Sequence, residues 1–128
     1  KMPKVYVLDI GIRNYLLRSF DAGLGGQGGV IENFVYNTFL AQYGKEYIHF
    51  YHTSGGAEID FVIEDKNNKL MLCEVKYRNK VNVPVIMKNF EKRYGNVGNK
   101  LIITKNLLKK ENNVYSIPAI LLPFVDFK

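Results

Sequence analysis

Cysteine is nearly absent from this chain: Cys73 is the one thiol in 128 residues. No internal disulfide can form, so stability has to come from a packed core. Tryptophan is missing, and there are four prolines. No apolar run approaches the roughly 20 residues that a membrane-spanning helix needs, and no charged-then-apolar leader opens the chain. The pattern G-x-x-x-x-G-K-[ST] does not occur, which excludes a nucleotide-binding P-loop within these residues. Together these absences predict a reducing, cytoplasmic setting without a membrane partner.

What is present suits one globular domain spanning 1–128. Hydrophobic residues make up 47%, and nine tyrosines and eight phenylalanines supply bulk for a core. Eighteen basic against twelve acidic side chains give a net charge of +6 and a pI near 9.4, a moderate excess that is compatible with a polyanionic partner such as DNA and also common in other soluble proteins. The opening Lys1-Met2 fits either a fragment of a larger protein or extra residues added ahead of the natural start.

Val5 to Leu8 has the pattern of a short strand, and Ile12 to Phe20 that of a helix with Asp9 at its N-cap. Gly23 to Gly29 holds five glycines in seven residues and reads as a loop. Gly23, Gly25 and Gly28 formally satisfy G-x-G-x-x-G, but a helix-like segment precedes them where a dinucleotide site needs a strand. From Val30 to Tyr43, Ile31, Phe34, Val35, Phe39 and Leu40 recur at helical spacing, and Gly44 supplies a stop. A strand is expected over Tyr47 to Tyr51, a turn over His52 to Gly56, a helix over Val83 to Tyr94, and strands at Lys100 to Thr104 and Val114 to Ile117. The Pro118 to Pro123 stretch reads as an apolar tail packed on the body. His49 and His52 have no Cys or acidic partner at zinc spacing.

The stretch Ala57 to Tyr77 organises the rest. Two runs alternate at period two around the turn D-K-N-N-K, which predicts a β-hairpin with Glu58, Asp60 and Val62 on one face of its first strand. A turn centred on Asn67 makes opposed residue numbers sum to 134, placing Asp60 opposite Glu74 and Glu58 opposite Lys76. The alternative centre would set Asp60 against Val75, a charge on an apolar face. Like charges opposed across strands are destabilising, so Asp60 and Glu74 need compensation from Lys76, from a shared proton, or from a divalent cation.

Glu32 near the start of a helix, Asp60, and Glu74-Val75-Lys76 occur in an order that resembles the PD-(D/E)XK nuclease superfamily. Ser54-Gly55-Gly56 before the aspartate adds a similarity to archaeal Holliday junction resolvases, from which Glu58 departs. Lys4 to Gly11, Ile31 to Asn37 and Glu58 to Val62 resemble the markers of the domain of unknown function 4143, a C-terminal module of prokaryotic and archaeal P-loop ATPases. The resemblance implies an α/β fold with a restriction-endonuclease-like αβββαβ core, a mixed central sheet flanked by helices.

It also implies metal-dependent DNA phosphodiester hydrolysis. Glu32, Asp60, Glu74 and the Val75 carbonyl would hold Mg²⁺ or Mn²⁺, and Lys76 would position the attacking water and offset charge on the phosphorane. His52 and Ser54 at the turn, with Arg78, Lys80, Lys88, Lys92 and Arg93, are candidates for DNA backbone contacts. The alternative is a noncatalytic DNA-docking, regulatory or assembly module. The expected partners are DNA and the ATPase domain of the same full-length protein, with homo-oligomerisation left open.

Overall fold

A computed structural model describes residues 3–18 and 27–127. Its helices are α1 (Ile10–Leu16), α2 (Gln27–Tyr43) and α3 (Val85–Tyr94). Its strands are β1 (Ile48–His52), β2 (Glu58–Glu64), β3 (Leu70–Val75), β4 (Val97–Thr104), β5 (Lys109–Glu111) and β6 (Val114–Pro118). The strands form one mixed sheet in the order β1-β2-β3-β4-β6-β5. β1, β2 and β3 are antiparallel, β3, β4 and β6 are parallel, and β5 returns antiparallel to β6. From α2 to β4 the order is αβββαβ, as expected, and the class is mixed α/β.

Period-two alternation sorts the core. Phe61, Ile63, Met71, Cys73, Leu101 and Ile103 pack under Val35 and Phe39 of α2, while Val62, Leu72 and Ile102 pack under Met87 and Phe90 of α3. Neighbours in sequence thus feed opposite layers, and helices cover both faces of the sheet. Cys73 is fully buried in the first layer, a packed thiol. Buried Lys100 is neutralised by Glu91 of α3. α2 and α3 stop at Gly44 and Gly95, whose φ values of 92° and 64° suit a residue without a Cβ.

The hairpin register is the one expected, pairing Phe61 with Cys73, Val62 with Leu72 and Ile63 with Met71. Its turn is centred on Asn67. The Asp65 carboxylate accepts the N–H groups of Asn67 and Lys69 at 2.7 and 2.8 Å, and Asn68 takes the left-handed conformation (φ 57°).

Four expectations need correction. Val5 to Leu8 is not a strand. The side-chain amide of Asn33 on α2 holds Val7 from both sides, accepting its N–H at 3.0 Å and donating to its carbonyl at 2.7 Å, so this backbone is satisfied without a sheet partner. Asp9 does cap α1, accepting from the Ile12 N–H at 2.9 Å, but that helix ends at Leu16. Residues 19–26, with most of the glycine-rich loop, lie outside the described residues, and Gly28 and Gly29 belong to the first turn of α2. β5, Lys-Lys-Glu, was not expected, because three charged residues carry no apolar alternation.

The fourth correction concerns the strand face. β2 carries a bulge, since Asp60 and Phe61 together face the single residue Phe50 between the pairs His49–Val62 and Tyr51–Ile59. Consequently Ile59 and Val62 both serve the layer under α3, and Glu58, Asp60 and Val62 do not share a face.

Candidate functional site

The bulge re-aims Asp60. Its Oδ2 accepts the N–H of Val75 across the hairpin at 2.8 Å, so the carboxylate fills the gap where β2 and β3 part. Past this point the β2–β3 ladder gives way, and the strand ends open a cleft of about 470 Å³ lined by Glu32, Glu58, Asp60, Glu74, Val75 and Lys76 and by the start of α3. Glu32 comes from the second turn of α2. The structure therefore brings Glu32, Asp60, Glu74, Val75 and Lys76 to one cavity from three elements.

Two ammonium groups divide the carboxylates between them. Lys76 Nζ lies 2.8 Å from Glu74 Oε1, so it serves Glu74 and not Glu58, the cross-strand partner that the register predicts. Lys4 Nζ, from the segment before α1, lies 2.8 Å from Glu32 Oε1, 3.2 Å from Asp60 Oδ1 and 3.6 Å from Glu58 Oε1. The Tyr6 hydroxyl donates to the same Glu32 oxygen at 2.6 Å. Lys4 and Tyr6 were missed as site residues. They lie 28 and 26 residues from Glu32, and the only signal for them is their place within the Lys4 to Gly11 family markers.

The electrostatics follow from burial. Burial draws the Lys4 ammonium toward neutrality, but its hydrogen bond to Glu32 and the charges of Asp60 and Glu32 outweigh this and raise its pKa. Burial likewise raises the Tyr6 hydroxyl, reinforced by Glu32, so it stays a donor. Glu74 is 6% exposed, and burial raises its carboxyl above the usual 4.5 against the opposing pull of Lys76. Its Oε2 is buried and, among the described residues, has no hydrogen-bond partner. A buried acceptor left without a donor is uncommon and costs on the order of 1–3 kcal/mol.

Among the described residues, no group of three or more His, Cys, Asp or Glu side chains stands in metal-holding geometry, and Lys4 and Lys76 each pair with carboxylates of the cleft. The donor set nevertheless suits Mg²⁺ or Mn²⁺. It consists of hard oxygens, and among the described residues its buried Glu74 Oε2 has no hydrogen-bond partner, which leaves an acceptor for a hard divalent ion.

The candidate DNA contacts are spread more widely. His52 lines a second cleft beside the first, and Ser54 is exposed on the turn between β1 and β2. Arg78 and Lys80 are exposed beyond β3, and Lys88, Lys92 and Arg93 on α3. Lys92 and Arg93 occupy the last turn of α3, roughly 11 Å along its axis from the Val85 end that borders the carboxylates, so they do not join that cleft. No described helix is long and apolar enough to cross a membrane.

A family model described as "Domain of unknown function (DUF4143)" matches residues 27–124, about three quarters of the chain. No curated protein and no solved structure matches.

Proposed function

Starting from the fact that this chain belongs to the DUF4143 family, whose description assigns no activity, we propose that it is a PD-(D/E)XK-type, metal-dependent phosphodiesterase acting on DNA. The observation that carries this reading is the convergence on one cleft of Glu32, Asp60, Glu74 and Lys76, with a buried Glu74 oxygen that lacks a partner.

Each residue has a separable task. Asp60, fixed by the Val75 N–H, and Glu74, fixed by Lys76, present oxygens from two strands, and Glu32 closes the set from α2. These three and the Val75 carbonyl would hold Mg²⁺ or Mn²⁺. When bound, the ion supplies Lewis acidity toward the scissile phosphate and lowers the pKa of a water. Lys76 is 35% exposed at its side chain and reaches into the cleft, placed to orient that water and to offset charge that develops on the phosphate oxygens. The basic surface attracts DNA by release of counterions, so affinity falls as salt rises. In this reading the chain is the C-terminal module of a P-loop ATPase in the cytoplasm, and the ATPase domain is its partner.

Incubation of the purified chain with branched, nicked and linear DNA, with Mg²⁺ or with EDTA, is the test. Cleavage that requires Mg²⁺ and is lost in Asp60→Asn, Glu74→Gln and Lys76→Ala supports the reading. Cleavage that survives in Asp60→Asn, or no cleavage of any of these DNAs, overturns it. A second reading, a noncatalytic docking or regulatory module, is favoured by the ammonium of Lys4 between Glu32 and Asp60. Stabilisation by Mn²⁺ without DNA cleavage would select it.

A further inference from the structure

A second cleft, of about 700 Å³, adjoins the first and shares Glu58 and Asp60 with it, and Lys4 stands at the boundary. Its wall is aromatic in an unusual way. Most ring contacts in this fold are tilted or edge-on, as between Phe39 and Phe61 (78°) or Tyr51 and Phe90 (87°). Among the described residues, the two face-stacked pairs both involve Tyr6. Its ring lies 4.3 Å from Tyr36 at 12° and 5.9 Å from Phe50 at 11°. Tyr6 is thus nearly parallel to both neighbours, and the three rings form an aromatic ladder along the wall of this cleft.

The ladder ends on Phe50, which lies on the edge strand β1, lines the cleft and is 51% exposed. An apolar ring left half in water at the end of a stack is completed by another flat π-system. Around it are groups that fit a nucleotide: Lys4 offers an ammonium and His52 an imidazole N–H to a phosphate, and the Glu58 carboxylate can accept from the amino group of a base.

We infer that this cleft binds an unpaired nucleobase by stacking on Phe50, with the adjoining phosphate directed toward the carboxylate cleft, so the preferred substrate class is single-stranded DNA or a frayed, unpaired nucleotide. The inference deepens the proposed function and rests on it for the identity of the polymer. A base inside a duplex is covered on both faces and reaches the ladder only by leaving its stack, which gives single strands the advantage.

The test is binding without cleavage, in EDTA, by fluorescence anisotropy of a single strand and a duplex of the same sequence, together with 2-aminopurine emission from a single-stranded probe. Phe50→Ala should weaken single-strand affinity by about fivefold or more. Phe50→Trp should keep it, and duplex affinity should change less than about twofold. Emission of 2-aminopurine should be quenched on binding to wild type and to Phe50→Trp, but not to Phe50→Ala. Thermal melts establish that the variants are folded. Equal single-strand affinity in folded wild type and Phe50→Ala, or unquenched emission on wild type, would overturn the inference while Mg²⁺-dependent cleavage still stood. Phe50-dependent binding without any cleavage would keep the base site and remove hydrolysis instead. Absence of single-strand binding by wild type overturns it as well.

Discussion

Replacing Lys4 by methionine keeps much of the side-chain length and removes its charge, and so asks what that ammonium does among three carboxylates. The Lys4 side chain is about two-thirds buried, and its partners Glu32 and Asp60 are more so. A fully exposed pair would contribute about 0–1 kcal/mol, whereas a net hydrogen bond to a charged group contributes about 1.5–3 kcal/mol. Lys4 makes two such contacts in intermediate burial, and its loss also exposes Glu32, Glu58 and Asp60 to mutual repulsion, so about 2 kcal/mol is expected. For a chain of this size each kcal/mol moves Tm by about 4 °C, so Lys4→Met should melt about 8 °C lower at neutral pH without divalent ions. The pKa of Lys4 is raised on folding, so its stabilisation is complete below the usual lysine value of 10.5 and is lost as pH rises through the folded value. The deficit of Lys4→Met should therefore hold from neutral pH to about 10 and shrink above that. A double substitution with Glu32→Gln should recover part of the loss, because one carboxylate then no longer needs a counter-ion. Mn²⁺ should raise the Tm of Lys4→Met more than that of wild type, since no ammonium has to yield its place. Differential scanning fluorimetry across pH, with and without Mn²⁺, reads all of this. A Lys4→Met melt within about 1 °C of wild type at neutral pH would refute the assignment of Lys4 as the cation that holds this cluster.

Glu74→Gln should be more stable than wild type in the absence of metal. Because burial raises the Glu74 carboxyl, the folded state binds its proton more tightly, and wild-type stability falls as pH rises from 4.5 through the folded value; melts should diverge over that window and coincide below it. Asn33→Leu removes both bonds to Val7 at a site 1% exposed, which should cost about 2 kcal/mol and make the Val7 amide exchange faster than amides of β4. Gly95→Ala meets no atom within 4 Å but forces φ 64° on an alanine, so denaturant unfolding should show a loss of about 1 kcal/mol from backbone strain alone.

The hairpin was legible in the sequence because a polar turn and two alternating strands fix both register and centre, down to Asn67. α2 and α3 were legible from their spacing and their glycine stops. The bulge at Asp60 was not, since an inserted residue leaves the apolar-polar alternation of β2 intact on paper while changing which layer Ile59 serves. The Val5 to Leu8 segment has the apolar pattern of a strand, yet its hydrogen bonds go to the side chain of Asn33, a partner that no periodicity reveals. Lys4 escaped notice for a related reason, because its carboxylates lie 28 to 56 residues away and only the folded chain brings them together.

That the segment carrying Lys4 and Tyr6 adds no strand to the sheet separates two events that are usually one. Its release would break the amide clamp of Asn33 on Val7, the bonds from Asn37 to the Val7 and Leu8 carbonyls, and the contacts to Glu32 and Asp60. The six-stranded ladder and both apolar layers would stay whole, apart from the packing of Tyr6 against the first layer. Such a segment can open as a local unit, at a free energy below that of global unfolding. In the open state the acid cluster loses one cation and the aromatic ladder loses its middle ring at the same moment. Occupancy of the carboxylates and shape of the aromatic wall are thus tied to one local equilibrium, and whatever binds the open or the closed segment would set both together.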